Sequence, residues 1–112
     1  MPRDSTRSVH EAEPFDEESG SVITPIYQTA TFAFSKAEEA RRAVAGETGR
    51  YVYTRWDNPT TARLEKKLAG LEHAEDAAFF SSGMAAISTS VLTFVGADDH
   101  VVAIRDLYGG TF

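Results

Sequence analysis

Cysteine is absent from the 112 residues, which excludes a disulfide framework and a cysteine-ligated zinc site. No apolar run approaches the roughly 18 residues that a membrane-spanning helix needs. The N-terminus lacks the apolar centre of a secretory signal. Cations are in deficit: 11 Lys and Arg against 17 Asp and Glu give a net charge of -6 and a pI of about 4.9. With no basic patch, the chain has no electrostatic footprint for nucleic acid. His10, His73 and His100 stand at spacings that suit no metal site, and none is expected. No repeat and no low-complexity tract appears. A cytoplasmic protein without membrane, nucleic-acid or metal partners is the expectation.

What is present centres on Ser81-Ser82-Gly83-Met84-Ala85-Ala86. An apolar run, Ala77 to Phe80, precedes it, and a longer one, Ile87 to Val95, follows. This reads as a strand over 76–80, a tight turn, and a helix from Gly83 to Val95 that stops at Gly96. The first amides of a helix lack intrahelical acceptors and carry partial positive charge, so the turn suits a phosphate. It matches neither G-x-G-x-x-G nor G-x-x-x-x-G-K-[ST], which argues against a dinucleotide or a P-loop site. Asp98-Asp99 marks a turn, and His100 to Arg105 reads as a second strand buried on both faces. Strand–helix–strand at this spacing predicts a parallel crossover unit and an α/β fold. The turns at 81–83 and 106–110 would then share the carboxyl edge of the sheet, where such folds bind ligands. Tyr108 would lie there, either packed in its loop or stacked on a flat ligand with a hydroxyl able to move a proton.

The first half reads differently. Residues 1–22 hold six acidic and two basic charges with no period, which predicts a mobile or extended arm. Residues 23–34 are β-branched and aromatic but include Pro25, so extended chain outside a central strand is expected. Its apolar groups pack on the chain's own core or on another subunit. Ser35 and Glu38 form a capping-box pattern for a helix to Ala45 and Gly46, with Glu38 and Arg42 spaced as an ion pair. Asn58-Pro59 predicts a clean helix start, with Leu64, Leu68 and Leu71 as its buried stripe. Tyr53 and Arg55, two apart in an extended segment, point one way and could converge on one phosphate. The plainer alternative is an exposed arginine beside a packed aromatic ring.

Four stretches together resemble the cystathionine γ-synthase / γ-lyase family, the pyridoxal-phosphate enzymes of cysteine and methionine metabolism. They are Thr24-Pro-Ile-Tyr-Gln-Thr-Ala-Thr-Phe32, Tyr53-Thr-Arg-Trp-Asp-Asn-Pro-Thr60, Ser81-Ser-Gly-Met-Ala-Ala-Ile87 and Leu107-Tyr-Gly-Gly-Thr111. The resemblance spans residues 24 to 111. It implies the N-terminal part of a fold-type I pyridoxal-phosphate-dependent transferase. Residues 1–58 would be an arm and helix contacting a neighbouring subunit, and 59–112 the start of the large cofactor-binding domain. Ser82, Gly83 and Met84 would hold the phosphate of pyridoxal 5'-phosphate. Tyr53 and Arg55 would bind that of a neighbouring subunit's cofactor. Tyr108 would stack on the pyridine ring and assist proton transfer. A homo-oligomer is implied, active as a dimer and tetrameric at full length, with an amino acid as its small-molecule substrate.

The implied activity is bond making or breaking at the γ-carbon of homoserine- or cystathionine-type substrates, by a cystathionine γ-synthase or γ-lyase first. The alternatives are an O-acetylhomoserine sulfhydrylase, a methionine γ-lyase, or an inactive chain that only associates with partners. Family members often have Gly where Asp57 stands, and methionine γ-lyases typically carry Cys at Gly110, which argues mildly against that activity. The sulfhydrylase branch often replaces Met84. The family's Schiff-base lysine has no counterpart in this chain, whose lysines are Lys36, Lys66 and Lys67. Since the chain also ends on an apparent loop, a piece of a longer protein is expected, inactive alone.

Overall fold

A computed structural model of the chain describes residues 4–13, 15–17 and 19–112. They divide into two compact units, Met1–Ala77 and Ala78–Phe112. No helix among the described residues is long and apolar enough to cross a membrane.

The first unit is built around the start of a helix. Pro59–Glu72 forms α3, the helix expected from Asn58-Pro59. The Asn58 side-chain oxygen accepts from the Thr60 amide at 2.9 Å, while Pro59 occupies a position where a missing N–H costs nothing. The Asn58 amide group donates to the Tyr27 carbonyl at 3.0 Å and to the Thr54 hydroxyl at 3.1 Å. Asn58 is only 4% exposed, and these bonds satisfy a side chain that would otherwise be costly to bury. Thr60 adds two bonds: its hydroxyl donates to the Pro25 carbonyl (3.2 Å) and accepts from the Tyr27 amide (2.9 Å). The 23–34 segment is therefore extended, as expected, but pinned to α3 by polar bonds. It also meets the 50s around an isolated antiparallel bridge, Thr31 with Tyr53, where the Phe32 amide donates to the Val52 carbonyl (3.1 Å) and the Thr54 amide to the Ala30 carbonyl (2.9 Å).

Two expectations for the first half are corrected. The arm is not without structure: Asp4–His10 forms α1. Its sequence has no helical period, but Arg7 and Glu11 pair at i, i+4 (3.0 Å), and Arg7 also reaches the end of α3. There its guanidinium donates to the Gly70 carbonyl and lies 3.2 Å from His73 Nε2. A cation at a helix C-terminus satisfies orphan carbonyls and the dipole together. Glu11 packs so close to Gly70 that a Cβ there would come within 2.7 Å of its Cγ. Residues 1–3, 14 and 18 of the expected arm lie outside the described residues.

The second correction is the capping box. The helix here, α2, is Ala37–Val44, and its N-cap is Lys36, without a side-chain cap bond. Glu38 instead meets Arg41 at 2.8 Å, and Arg42 pairs with Glu47 at 3.3 Å rather than with Glu38. A bidentate guanidinium one turn away outcompetes a neutral amide for the carboxylate. The stop is as expected, with Gly46 at φ +73°.

The core is small. Ala43 and Ala69 are its buried apolar residues, and Leu64 and Leu68 stay 36% and 38% exposed. The leucine stripe of α3, with Leu71 also half-buried, is thus covered only in part. The helix packed on α3 is α1, and its named bonds fall at Lys67, Gly70 and His73.

In the second unit Gly83–Phe94 forms α4, again as expected. The strands expected at 76–80 and 100–105 do not form; among the described residues no ladder exists. A strand is stabilised by its neighbour's amides and carbonyls, and these segments have no neighbour to pair with. Val102 and Ile104, read as buried on both faces, are 97% and 72% exposed.

Candidate functional site

Tyr53 and Arg55 do come together, though not by strand alternation. The chain turns at 54–56, with the Trp56 and Asp57 amides both donating to the Tyr53 carbonyl (2.9 and 3.1 Å). The turn swings the Arg55 guanidinium over the Tyr53 ring, 4.9 Å from its centroid, a cation–π contact. No carboxylate pairs with Arg55 among the described residues. An exposed guanidinium without a carboxylate partner therefore lies over the face of a half-buried tyrosine ring, a pair suited to a phosphate. The Asp57 carboxylate is turned away to accept from its neighbour's amide, Asn58 N, at 2.7 Å. Nearby, burial pushes the Tyr51 phenol up; the charge of Asp57 adds to this and Arg63 opposes it. Tyr51 thus stays neutral and able to donate.

In the second unit Ser82 is the N-cap of α4, extended at φ -156°, and its hydroxyl oxygen accepts from the Ala85 amide at 3.1 Å. That bond and the Ala86 bond to the Ser82 carbonyl leave Gly83 and Met84 with amides that have no acceptor in the helix. The first turn of α4 holds no acidic residue to compete for them. A Cβ on Gly83 would meet nothing within 4 Å, so no side chain crowds the chain at that residue.

The loop of Tyr108 reaches the same turn. The Thr111 amide donates to the Tyr108 carbonyl at 2.8 Å, and the Thr111 hydroxyl lies 3.3 Å from the Met84 sulfur. Tyr108 is 81% exposed, and its ring lies back over Gly110, where a Cβ would come 2.8 Å from Cε1. The loop that carries Tyr108 thus meets the helix start through Thr111, without the sheet invoked to place it there, while the Tyr108 ring itself lies against Gly110. Thr111 was visible in the sequence only as part of a motif; a contact across 27 residues has no local signal. Asn58 was read as a cap alone, and nothing in sequence announced its bond to Tyr27.

These residues fit a phosphorylated cofactor on their own chemistry. Two amides without an acceptor in the helix, and a guanidinium with no carboxylate partner among the described residues, are arrangements an anion stabilises. Among the described residues no group of His, Asp and Glu is placed to hold a metal.

Comparison with known proteins agrees. The family profile described as Cys/Met metabolism PLP-dependent enzyme matches residues 5–112. An L-methionine gamma-lyase of Porphyromonas gingivalis is 47% identical over 108 residues, covering 96% of this chain and 27% of that protein. An O-acetyl-L-homoserine sulfhydrylase of Corynebacterium glutamicum is 42% identical over 95% of this chain and 24% of its own length. A crystal structure from Campylobacter jejuni, described as an O-acetylhomoserine (thiol)-lyase and containing N'-pyridoxyl-lysine-5'-monophosphate, superposes with a TM-score of 0.87. It is 29% identical, over 99% of this chain and 27% of that one. The chain thus spans about a quarter of the length of the proteins it matches. The superposition carries the α/β fold-type I assignment, which the 112 residues alone do not complete with a sheet.

Proposed function

We propose a function that proceeds from one premise: the chain belongs to the Cys/Met metabolism PLP-dependent enzymes. Within a protein of its relatives' length it would form the phosphate-holding part of an enzyme that makes or breaks a bond at the γ-carbon of a homoserine-, cystathionine- or methionine-type amino acid. Such an enzyme would be a cytoplasmic homo-oligomer with a dimer as its active unit. The first 58 residues would serve as the arm that meets the neighbouring subunit.

Pyridoxal phosphate, when bound, supplies the electron sink for such chemistry. This chain's residues do the rest of what falls to them. The Gly83 and Met84 amides and the Ser82 hydroxyl bind the phosphate. Tyr53 and Arg55 bind a phosphate in the neighbouring subunit, where the exposure of Arg55 leaves it free to reach. Tyr108 stacks against the ring, and its hydroxyl holds or moves a proton. The observation that carries this reading is the pair of unpaired amides at α4, with the Tyr108 loop fastened to the same turn.

Gly110 leaves the synthase and cystathionine γ-lyase activities in front on the motif alone. The 47% identity to a methionine γ-lyase favours the second reading, elimination from methionine. Turnover of the full-length protein on cystathionine, O-acetylhomoserine with a thiol, and methionine separates them, since only one product profile can dominate. That none of Lys36, Lys66 and Lys67 serves as the Schiff-base lysine is supported by their sequence context and by the pairing of Lys67 with Glu13 at 2.9 Å. Borohydride treatment of this chain with the cofactor should therefore label no residue. A stable label on Lys36, Lys66 or Lys67 would overturn that part.

A further inference from the structure

The Thr111 hydroxyl lies 3.3 Å from the Met84 sulfur, joining residues 27 apart. Met84 is the second residue of α4, and its amide is one of the two left unpaired at the helix start. Thr111 also closes the turn that carries Tyr108, through its amide to the Tyr108 carbonyl at 2.8 Å. One residue thus touches both halves of the second-unit site: the amide pair through Met84, and the aromatic ring through the turn. A hydroxyl has a single proton to donate, and a thioether is an acceptor only. The direction of the bond is therefore fixed. Methionine has three rotatable bonds, so its position is poorly defined unless something holds it. Tyr108 has no anchor of its own kind either, being 81% exposed with its ring on a glycine.

We propose that Thr111 is a positioning residue: its hydroxyl, through the Met84 sulfur, fastens the Tyr108 turn to the first turn of α4 and so sets the distance between the ring and the phosphate-binding amides. This rests on the cofactor reading of the same turn. Without the hydroxyl, Met84 is free to change rotamer, and the Tyr108 turn keeps its internal bond but loses its register against the helix. The phosphate is then still bound, while the ring that should lie over the cofactor is held less closely.

The test uses the full-length protein with Thr111→Val, Thr111→Ser, Met84→Leu and the double variant Thr111→Val/Met84→Leu. Valine keeps the shape and removes the proton, serine keeps the proton, and leucine keeps most of the volume without the sulfur. Three quantities are read: the dissociation constant of pyridoxal phosphate, the visible circular dichroism of the bound cofactor, and kcat against KM. Thr111→Val should weaken the dichroic band and lower kcat about two- to tenfold, the size of one net hydrogen bond. KM and the cofactor constant should move less. Met84→Leu should do the same, the double variant should be no worse than either single one, and serine should restore both readouts.

Multiplying effects in the double variant, failure of serine to rescue, or an unchanged dichroic band in Thr111→Val would each overturn the proposal. Should Thr111→Val not fold, the serine and leucine variants still decide it: serine must match wild type and leucine must not. If the wild-type protein binds no pyridoxal phosphate, the cofactor reading falls, and this inference with it. If wild type binds it and all variants behave alike, only the role of Thr111 is wrong.

Discussion

The Asn58 side chain donates to the carbonyl of Tyr27 at 3.0 Å, across 31 residues, while its oxygen caps α3. One buried amide therefore fixes the 23–34 segment against the helix whose start it defines. It also receives the turn that presents Arg55, through the Thr54 hydroxyl at 3.1 Å. Asn58→Ala should cost about 1–3 kcal/mol, a cap together with buried bonds. Asn58→Asp should cost at least as much, because it keeps the cap oxygen but buries a carboxylate oxygen against the Tyr27 carbonyl. Denaturant midpoints of the two variants check the order; aspartate clearly milder than alanine would refute it.

Arg55 has no carboxylate partner among the described residues, which leaves it available to an anion. Arg55→Ala in the full-length protein should weaken cofactor binding by roughly 2–5 kcal/mol, the range for removing one side of a desolvated charge pair. Mixing it with a variant lacking the cofactor-binding lysine tests which subunit it serves. If Arg55 acts on the neighbouring subunit, a hybrid dimer has one intact site, and activity returns on subunit exchange. Confirmed exchange without recovery would place Arg55 at its own chain's site.

Tyr108→Phe keeps the ring and removes the hydroxyl. Turnover should fall by about 10²–10⁴, the usual worth of a positioned proton carrier, with cofactor affinity nearly kept. Lost affinity with normal turnover per bound cofactor would remove the proton role.

The Glu13 carboxyl is held below its ordinary value of 4.5, first by its bond to Lys67 and then by Thr24, against the opposing effect of burial. The folded state therefore binds this proton less readily than the unfolded chain. The stabilisation from Glu13 is present above pH 4.5 and is lost as pH falls through the depressed folded value. Since Glu13 joins the end of the arm to α3 and to Thr24 (Oγ1 at 2.8 Å), arm amides should lose hydrogen-exchange protection in acid. Glu13→Gln should show weak protection at all pH values. Equal acid sensitivity in wild type and Glu13→Gln would disprove the link.

Gly110 lets the Tyr108 ring lie over the backbone, and a Cβ 2.8 Å from Cε1 forces the ring to move. Its φ is not in the left-handed region, so Gly110→Ala should leave folding nearly unchanged. It should alter KM or kcat instead. A stability loss with normal kinetics would contradict this reading.

What the sequence determined by itself were features set by near neighbours. Asn58-Pro59 and Ser82-Gly83 start helices because the cap and the first-turn chemistry are complete within four residues. Gly46 ends one for the same reason. The four motifs that suggested the family also needed no folding argument, because they are patterns of order and spacing. Tertiary structure decided wherever two local options compete, or where a partner is distant. Glu38 had both a capping bond and an arginine in reach, and the charge won. A helix in the acidic arm depended on a docking place at Gly70 and His73, some 60 residues on. Tyr53 and Arg55 met through a turn because backbone bonds, which residue types do not encode, closed it. The apolar runs at 77–80 and 101–104 were legible as sheet material, yet a strand is a property of pairs, and within these residues neither has one.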